Sequence, residues 1–291
     1  MLNKKILMAY YNLIKPRIVF MQWVTVSMGY FLSHPQPIAI GNYLFLLIGT
    51  ACVAAGSGIL NNYLEKDSDS KMERTKNRPL PLGLIPPANA LMTGILTVLG
   101  SVLLLLWQVN LLTAFLALLT AFLYVLVYTP MKKLTWLNTS VGAIPGAIPP
   151  LGGWAAATGT LSLESFFLFL ILFAWQHPHF YAIAWMLKED YRKAGFKMLP
   201  VLDPTGHRTY RQILYFSILL ILLSLALVKT GNSGTFYGWG ACGLGLLILY
   251  QAIRFGLTKS DLSARKLLKI TVYYLPLYLV LLLIDTHLHP F

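Results

Sequence analysis

The chain has 291 residues, 57% of them apolar and only 11% charged, with a mean hydropathy of +0.65. That is about half the charge of a soluble globular domain, which excludes a water-soluble enzyme and a disordered tail. The net charge of +13 has no separate basic domain to carry it, which argues against nucleic acid, and Cys52 and Cys242 sit inside apolar runs, so neither a disulfide framework nor a metal-ligand spacing is on offer.

A membrane helix needs about 20 apolar residues to cross a hydrocarbon core of roughly 30 Å. About nine such stretches follow one another, roughly 18–35, 43–64, 88–108, 110–130, 138–158, 164–187, 211–229, 234–254 and 270–288. The predicted fold class is therefore all-α, a polytopic membrane protein in one integral-membrane domain over 1–291. Met1 to Lys15 has no long apolar run and no small-residue cleavage site, so no cleaved signal peptide is expected. With this count, all but one of the 23 Lys and Arg residues fall in the N-terminal segment or the loops after the even-numbered spans, Lys229 being the exception. Positive residues stay on the cytoplasmic side, so a bacterial-type inner (cytoplasmic) membrane is expected, with the N-terminus cytoplasmic and the C-terminus opposite.

The acids are more selective. Four of them, Glu65, Asp67, Asp69 and Glu73, lie after the second span, and Glu189, Asp190 and Asp203 lie after the sixth. If the second helix runs to its end, Asn61, Glu65 and Asp69 stack on one face about 6 Å apart, with Asp67 off it. An amide and two carboxylates at the lipid boundary suit magnesium, which takes oxygen ligands and usually completes its shell with substrate phosphates. Arg74 and Arg78 follow, with Lys71 and Lys76, as would be needed to grip a diphosphate beside its metal. The same run also reads as a solvated loop kept out of the bilayer by mixed charges.

Further along, Tyr128 and Lys132 stand four apart at the end of the fourth span, where a lysine can reach a phosphate and a tyrosine face can stabilise a carbocation. Tyr and Lys are equally the ordinary anchors of a helix at the interface. The fifth span, with Gly142, Pro145, Gly146, Pro149, Pro150, Gly152 and Gly153, is a poor straight helix that either lines a cavity or packs with a kink. His177 and His179 lie inside the sixth span, where ionisable groups are costly and point to function; an imidazole there can ligate haem iron or simply be a hydrogen-bonded interior histidine. Spaced i, i+2, they do not chelate one metal. His34, His207, His287 and His289 read as surface residues. Lys188, Glu189 and Asp190 close the sixth span, either as a second acidic site sharing metal with the first or as an interfacial charge patch.

The run NNYLEKDSDSKMERTKNRPLP at 61–81 resembles the signature of the protoheme IX farnesyltransferase (haem O synthase) family, within the intramembrane aromatic prenyltransferases typified by the ubiquinone-pathway enzyme. Similar to that family, and in the same order, are KPR at 15–17, YTPMKK at 128–133, GAIPGAIPPLGGWAA at 142–156, HPHFYAIAW at 177–185 and EDYRKAGFKMLPV at 189–201. The resemblance implies a nine-helix bundle around a central cavity, capped by a magnesium–diphosphate site. It implies transfer of the farnesyl group of farnesyl diphosphate to a vinyl group of haem b, with addition of water, giving haem O and diphosphate. Haem b is then a substrate, not a cofactor.

Carried over, Asn61, Glu65, Asp69 and Asp190 would hold magnesium. Arg74, Arg78, Lys132 and Lys188 would take the diphosphate, Tyr128 the allyl cation, and His177 or His179 the haem. A haem-A synthase or terminal-oxidase assembly partner is implied by the same resemblance. Two positions depart from the pattern: Glu65 stands where Asp is usual, and Met186 where quinone-type enzymes have the first Asp of a D-x-x-x-D pair, so the number of magnesium ions stays open. The alternatives are a prenyltransferase for an aromatic quinone precursor and a haem-binding membrane protein without transferase activity.

Overall fold

The computed structural model describes residues 2–33, 39–230 and 233–288, with side chains described between residues 4 and 285 of those ranges. Every described element is helical. His34, His289 and the side chain of His287 lie outside the described residues; His207 is exposed, against the Lys259 ammonium.

Helix α1 (Leu2–Leu13) buries Ala9 and Leu13 against Ile59, Leu80 and Ile85. The chain turns at Lys15, left-handed at φ 52°, and enters α2 (Pro16–Leu32) with a proline in the first turn, where its missing N–H costs nothing. Helix α3 (Ile40–Asp69) has 30 residues. At 1.5 Å per residue that is about 45 Å, well beyond a hydrocarbon core of roughly 30 Å, so its polar last turns emerge from the apolar layer. Helices α4 (Pro87–Gln108) and α5 (Leu111–Phe122) follow, α5 capped by Asn110 Oδ1 accepting from the Thr113 N–H at 2.8 Å. The fourth span then loosens into a π-helix, Leu123–Tyr128, before ending as α6 (Thr129–Leu134).

The proline-rich stretch is two helices, α7 (Asn138–Ala147) and α8 (Pro149–Thr158). A Ser162/Ser165 capping box opens α9 (Leu163–Met186), and the short α10 (Lys188–Lys193) and α11 (Leu199–Leu202) lead to α12 (His207–Val228), α13 (Thr235–Thr258) and α14 (Asp261–Leu288).

Seven helices among the described residues are long and apolar enough to cross a membrane: α3, α4, the continuous 111–134 segment, α9, α12, α13 and α14. Of the nine expected spans, the first corresponds to α2, only 17 residues long, and the fifth to the pair α7 and α8, ten residues each. The expected count of nine is therefore not reached by length and composition.

Without a hydrophobic drive between helices in lipid, small residues decide how closely backbones approach. Helix α8 lies against α2 so tightly that a Cβ on Gly153 would stand 1.9 Å from the Val26 carbonyl oxygen, and one on Gly29 1.9 Å from that of Pro150. The kinked-packing reading of the expected fifth span holds for α8, nearly all of which is buried. Helix α9 is enclosed by α7, α12 and α14 and carries the main core, with Leu168, Ile171, Leu172 and Tyr181 in one apolar cluster that also takes in residues of α12, α13 and α14. Outward faces are apolar, as lipid requires, with Trp107 and Trp239 among the exposed residues.

Candidate active site

Because α3 stays regular through Asp69, Asn61, Glu65 and Asp69 do share a face, and all three are buried. Each meets a base from a different part of the chain. The Lys15 ammonium donates to Asn61 Oδ1 at 2.6 Å, Lys132 at the end of α6 pairs with Glu65 at 2.6 Å, and Arg78 folds back to Asp69 Oδ2 at 2.7 Å. Together with Tyr124 and Tyr128 these groups line a cavity of about 90 Å³, the scale of an ion and phosphate groups rather than of a porphyrin. Asp69 Oδ1 is buried with no hydrogen-bond partner among the described residues.

Lys132 Nζ lies 4.8 Å from the centre of the Tyr128 ring, so one lysine touches both carboxylate and aromatic face. The ring's own place is set by Gly142: a Cβ there would come within 2.6 Å of Tyr128 Cδ2 and Cε2. Burial, followed by the neighbouring charges of Arg78 and Lys132, pulls Lys15 down to about 7.

The structure brings together seven residues singled out from the sequence: Asn61, Glu65, Asp69, Arg74, Arg78, Tyr128 and Lys132. Asp67 is exposed and off this face, and it makes no ion pair among the described residues. Asp190 stands one layer out, its two oxygens accepting from the backbone N–H groups of Glu73 and Arg74 at 3.4 and 3.3 Å. The two acidic segments therefore meet, but through the loop backbone, and among the described residues no three His, Cys, Asp or Glu side chains converge on one metal position. Glu189 points away, exposed and paired with Arg192. Lys188 lies over the Trp185 ring at 4.4 Å, outside the cavity lining.

The two histidines differ sharply. His177 is fully buried; its Nδ1 faces the Phe173 carbonyl at 2.8 Å, its Nε2 faces Ser140 Oγ at 3.0 Å, and its ring stacks on Phe216 at 3.4 Å. A carbonyl only accepts, so Nδ1 carries the proton and Nε2 accepts from Ser140: both nitrogens are spent. His179 is half-buried and stacked on Trp175, with Nδ1 at 3.0 Å from Thr271 Oγ1. The Thr271 hydroxyl already donates to the Leu268 carbonyl at 2.8 Å, so it accepts from His179 Nδ1–H, and the Nε2 lone pair is left without a partner among the described residues.

Sequence reasoning gave Lys15 no role, although it opens the KPR run; its arrival from 46 positions away depends on the left-handed turn before Pro16. Tyr124 and Thr129, both within reach of the cavity through the π-helix, carried no signal in spacing.

The chain matches the UbiA prenyltransferase family model over residues 23–275. It is 45% identical over 285 residues to a protoheme IX farnesyltransferase of Solibacter usitatus, an alignment covering 95% of this chain and 98% of that relative. A solved structure concerning digeranylgeranylglyceryl phosphate synthase in membranes superposes with a TM-score of 0.81 at 18% identity, covering 96% of this chain and 98% of that one. A UbiA homolog from Archaeoglobus fulgidus, solved with GPP and Mg2+ bound, superposes with a TM-score of 0.69 at 14% identity, covering 94% of this chain and 99% of that one.

Proposed function

The chain belongs to the UbiA prenyltransferase family, and from that membership we propose that it joins the farnesyl group of farnesyl diphosphate to a vinyl group of haem b, with addition of water, releasing diphosphate and haem O. It is a multi-pass membrane prenyltransferase, and it works as one integral-membrane domain over 1–291 in a bacterial-type inner membrane, N-terminus cytoplasmic. The observation that carries the reading is the cavity in which three acids and amides of one helix face sit against three bases brought from elsewhere. The relative named protoheme IX farnesyltransferase supports haem b as the acceptor.

The donor set fits magnesium: all the groups offered are hard oxygens, and Asp69 Oδ1 is a buried carboxylate oxygen with no hydrogen-bond partner among the described residues. Asn61, Glu65 and Asp69 would hold the ion, with Asp190 from the second acidic segment as a further donor. Magnesium, when bound, supplies positive charge against the leaving diphosphate.

The chain's own residues do the rest. Lys15, Arg74, Arg78 and Lys132 receive the negative charge that builds on the departing oxygen; Lys188, which lies over the Trp185 ring outside the cavity lining, would have to leave that ring to join them. The Tyr128 ring presents its negative face to the developing allyl cation, and Gly142 keeps that ring in place. Burial of the donor groups limits the water that can reach the cation before the vinyl carbon has attacked. For haem, His179 is the better contact, because no described residue engages its Nε2 lone pair and its Nδ1–H is fixed by Thr271, as the other ring N–H of a metal-ligating imidazole usually is; His177 holds its helix in place. A haem-A synthase or terminal oxidase as assembly partner rests on the resemblance alone and is tested by co-purification.

The test is to incubate detergent-purified protein with farnesyl diphosphate and magnesium, offering reduced haem b and an aromatic quinone precursor in parallel. Mass spectrometry should find one farnesyl group plus water on the porphyrin, abolished by chelator. Prenylation of the quinone precursor alone would overturn the acceptor and keep the chemistry.

A further inference from the structure

Asn61 has a property that no carboxylate has: its two ends differ. One end of the amide is an oxygen that can serve a cation, the other an NH2 that repels one, and only a hydrogen-bond network decides which faces the cavity. Here Asn61 Nδ2 donates to Thr129 Oγ1 at 3.0 Å, while Thr129 Oγ1 donates to the Tyr124 carbonyl at 2.8 Å. A hydroxyl has one proton. With that proton given to Tyr124, Thr129 Oγ1 can only accept, and the Asn61 amide is held NH2 toward Thr129 and oxygen toward Lys15 and the cavity. Both side chains are buried, so water does not stand in for the missing partner.

The π-helix is what makes this arrangement. The Thr129 N–H also bonds the Tyr124 carbonyl, five residues back rather than four, so the widened turn delivers hydroxyl and amide of one residue to the same acceptor. In a regular α-helix the Thr129 N–H would go to Val125, and the residue facing α3 would change.

We propose that Thr129 is a positioning residue whose hydroxyl, oriented by the π-turn, fixes the Asn61 amide with its oxygen toward a divalent cation. The inference rests on the reading of Asn61 as a metal donor. It gives Thr129 a specific task once Lys15 turns to the diphosphate: Thr129 alone then keeps the amide from rotating.

The experiment titrates Mn2+ into full-length protein in detergent and reads free Mn2+ by electron paramagnetic resonance. Thr129→Val, of nearly the same shape, should weaken Mn2+ binding about five- to tenfold, the worth of one neutral hydrogen bond, and Thr129→Ser should restore it to within about twofold. In an Asn61→Asp background Thr129→Val should change binding by less than about twofold, because a carboxylate has no wrong end. Unaltered binding in Thr129→Val, or an equal loss in both backgrounds, overturns the proposal while leaving Asn61 as a donor. Should Thr129→Val fail to fold, Thr129→Ala is read in its place. Unaltered binding in Asn61→Ala overturns the underlying reading instead, and the proposal with it.

Discussion

Replacing Lys132 separates what this residue does for the fold from what it does for the reaction. Its ammonium lies 2.6 Å from Glu65, with side-chain exposures of 13% and 6%. At an effective dielectric constant of about 20, charges at that distance attract by about 6 kcal/mol, most of it cancelled by the cost of taking both out of water. Lys132→Met abandons a buried Glu65, and breaking one side of such a pair costs about 3–5 kcal/mol. In the role proposed for it, the change also removes a cation from the diphosphate, worth about 1.5–3 kcal/mol or roughly 10- to 150-fold in kcat/KM. The double variant Lys132→Met with Glu65→Gln has no orphaned charge. Thermal denaturation in detergent should show Lys132→Met clearly destabilised and the double variant largely recovered, while diphosphate release stays low in both. Recovery of turnover along with stability would refute the reasoning, since neither the Lys132 ammonium nor the Glu65 carboxylate would then be needed for the reaction.

Other consequences can be checked singly. Gly153→Ala forces a methyl to 1.9 Å from the Val26 carbonyl and should cost about 3 kcal/mol or the folded protein itself, whereas Gly152→Ala meets nothing within 4 Å and should be close to neutral in the same melting assay. Glu189→Gln, on an exposed carboxylate paired with Arg192, should leave turnover within about twofold, while Asp190→Asn, which loosens the Glu73–Arg74 loop, should lower it about tenfold or more. Burial pushes the Asp203 carboxyl up, but hydrogen bonds from Thr209 and Thr205 outweigh it and hold the group below the usual carboxylate range. A depressed folded value means that the stabilisation is complete above the ordinary Asp value of about 3.9 and is lost as pH falls below it; acid melting curves of Asp203→Asn should lack that loss.

The sequence carried the local half of the site and little of the rest. The four-residue steps among Asn61, Glu65 and Asp69 are a property of one helix, and that helix runs on past the membrane as its polar end requires. Tyr128 and Lys132 also reach the same cavity, across the regular turn of α6, with the π-helix that no spacing announced lying just before it. What spacing could not supply is whatever depends on contacts across the fold: Lys15 arriving from before α2, Thr129 locking the Asn61 amide, and Asp190 holding a loop backbone instead of lining the cavity. The glycine and proline stretch at 142–156 was ambiguous for the same reason, since a broken helix serves a chamber or a close contact alike. Its two halves answer differently, α7 placing Gly142 against Tyr128 and α8 packing flush on α2.

The most direct test of the account joins the site to the reaction in one measurement. Wild type and Asp69→Asn, matched for folded fraction, are mixed with a stoichiometric amount of farnesyl diphosphate, magnesium and reduced haem b, and diphosphate and farnesylated haem are quantified together. The account predicts one farnesyl-haem per diphosphate in the wild type and neither product in Asp69→Asn. Equal product from both proteins would contradict it, because the chemistry would then lie outside the cavity at the end of α3.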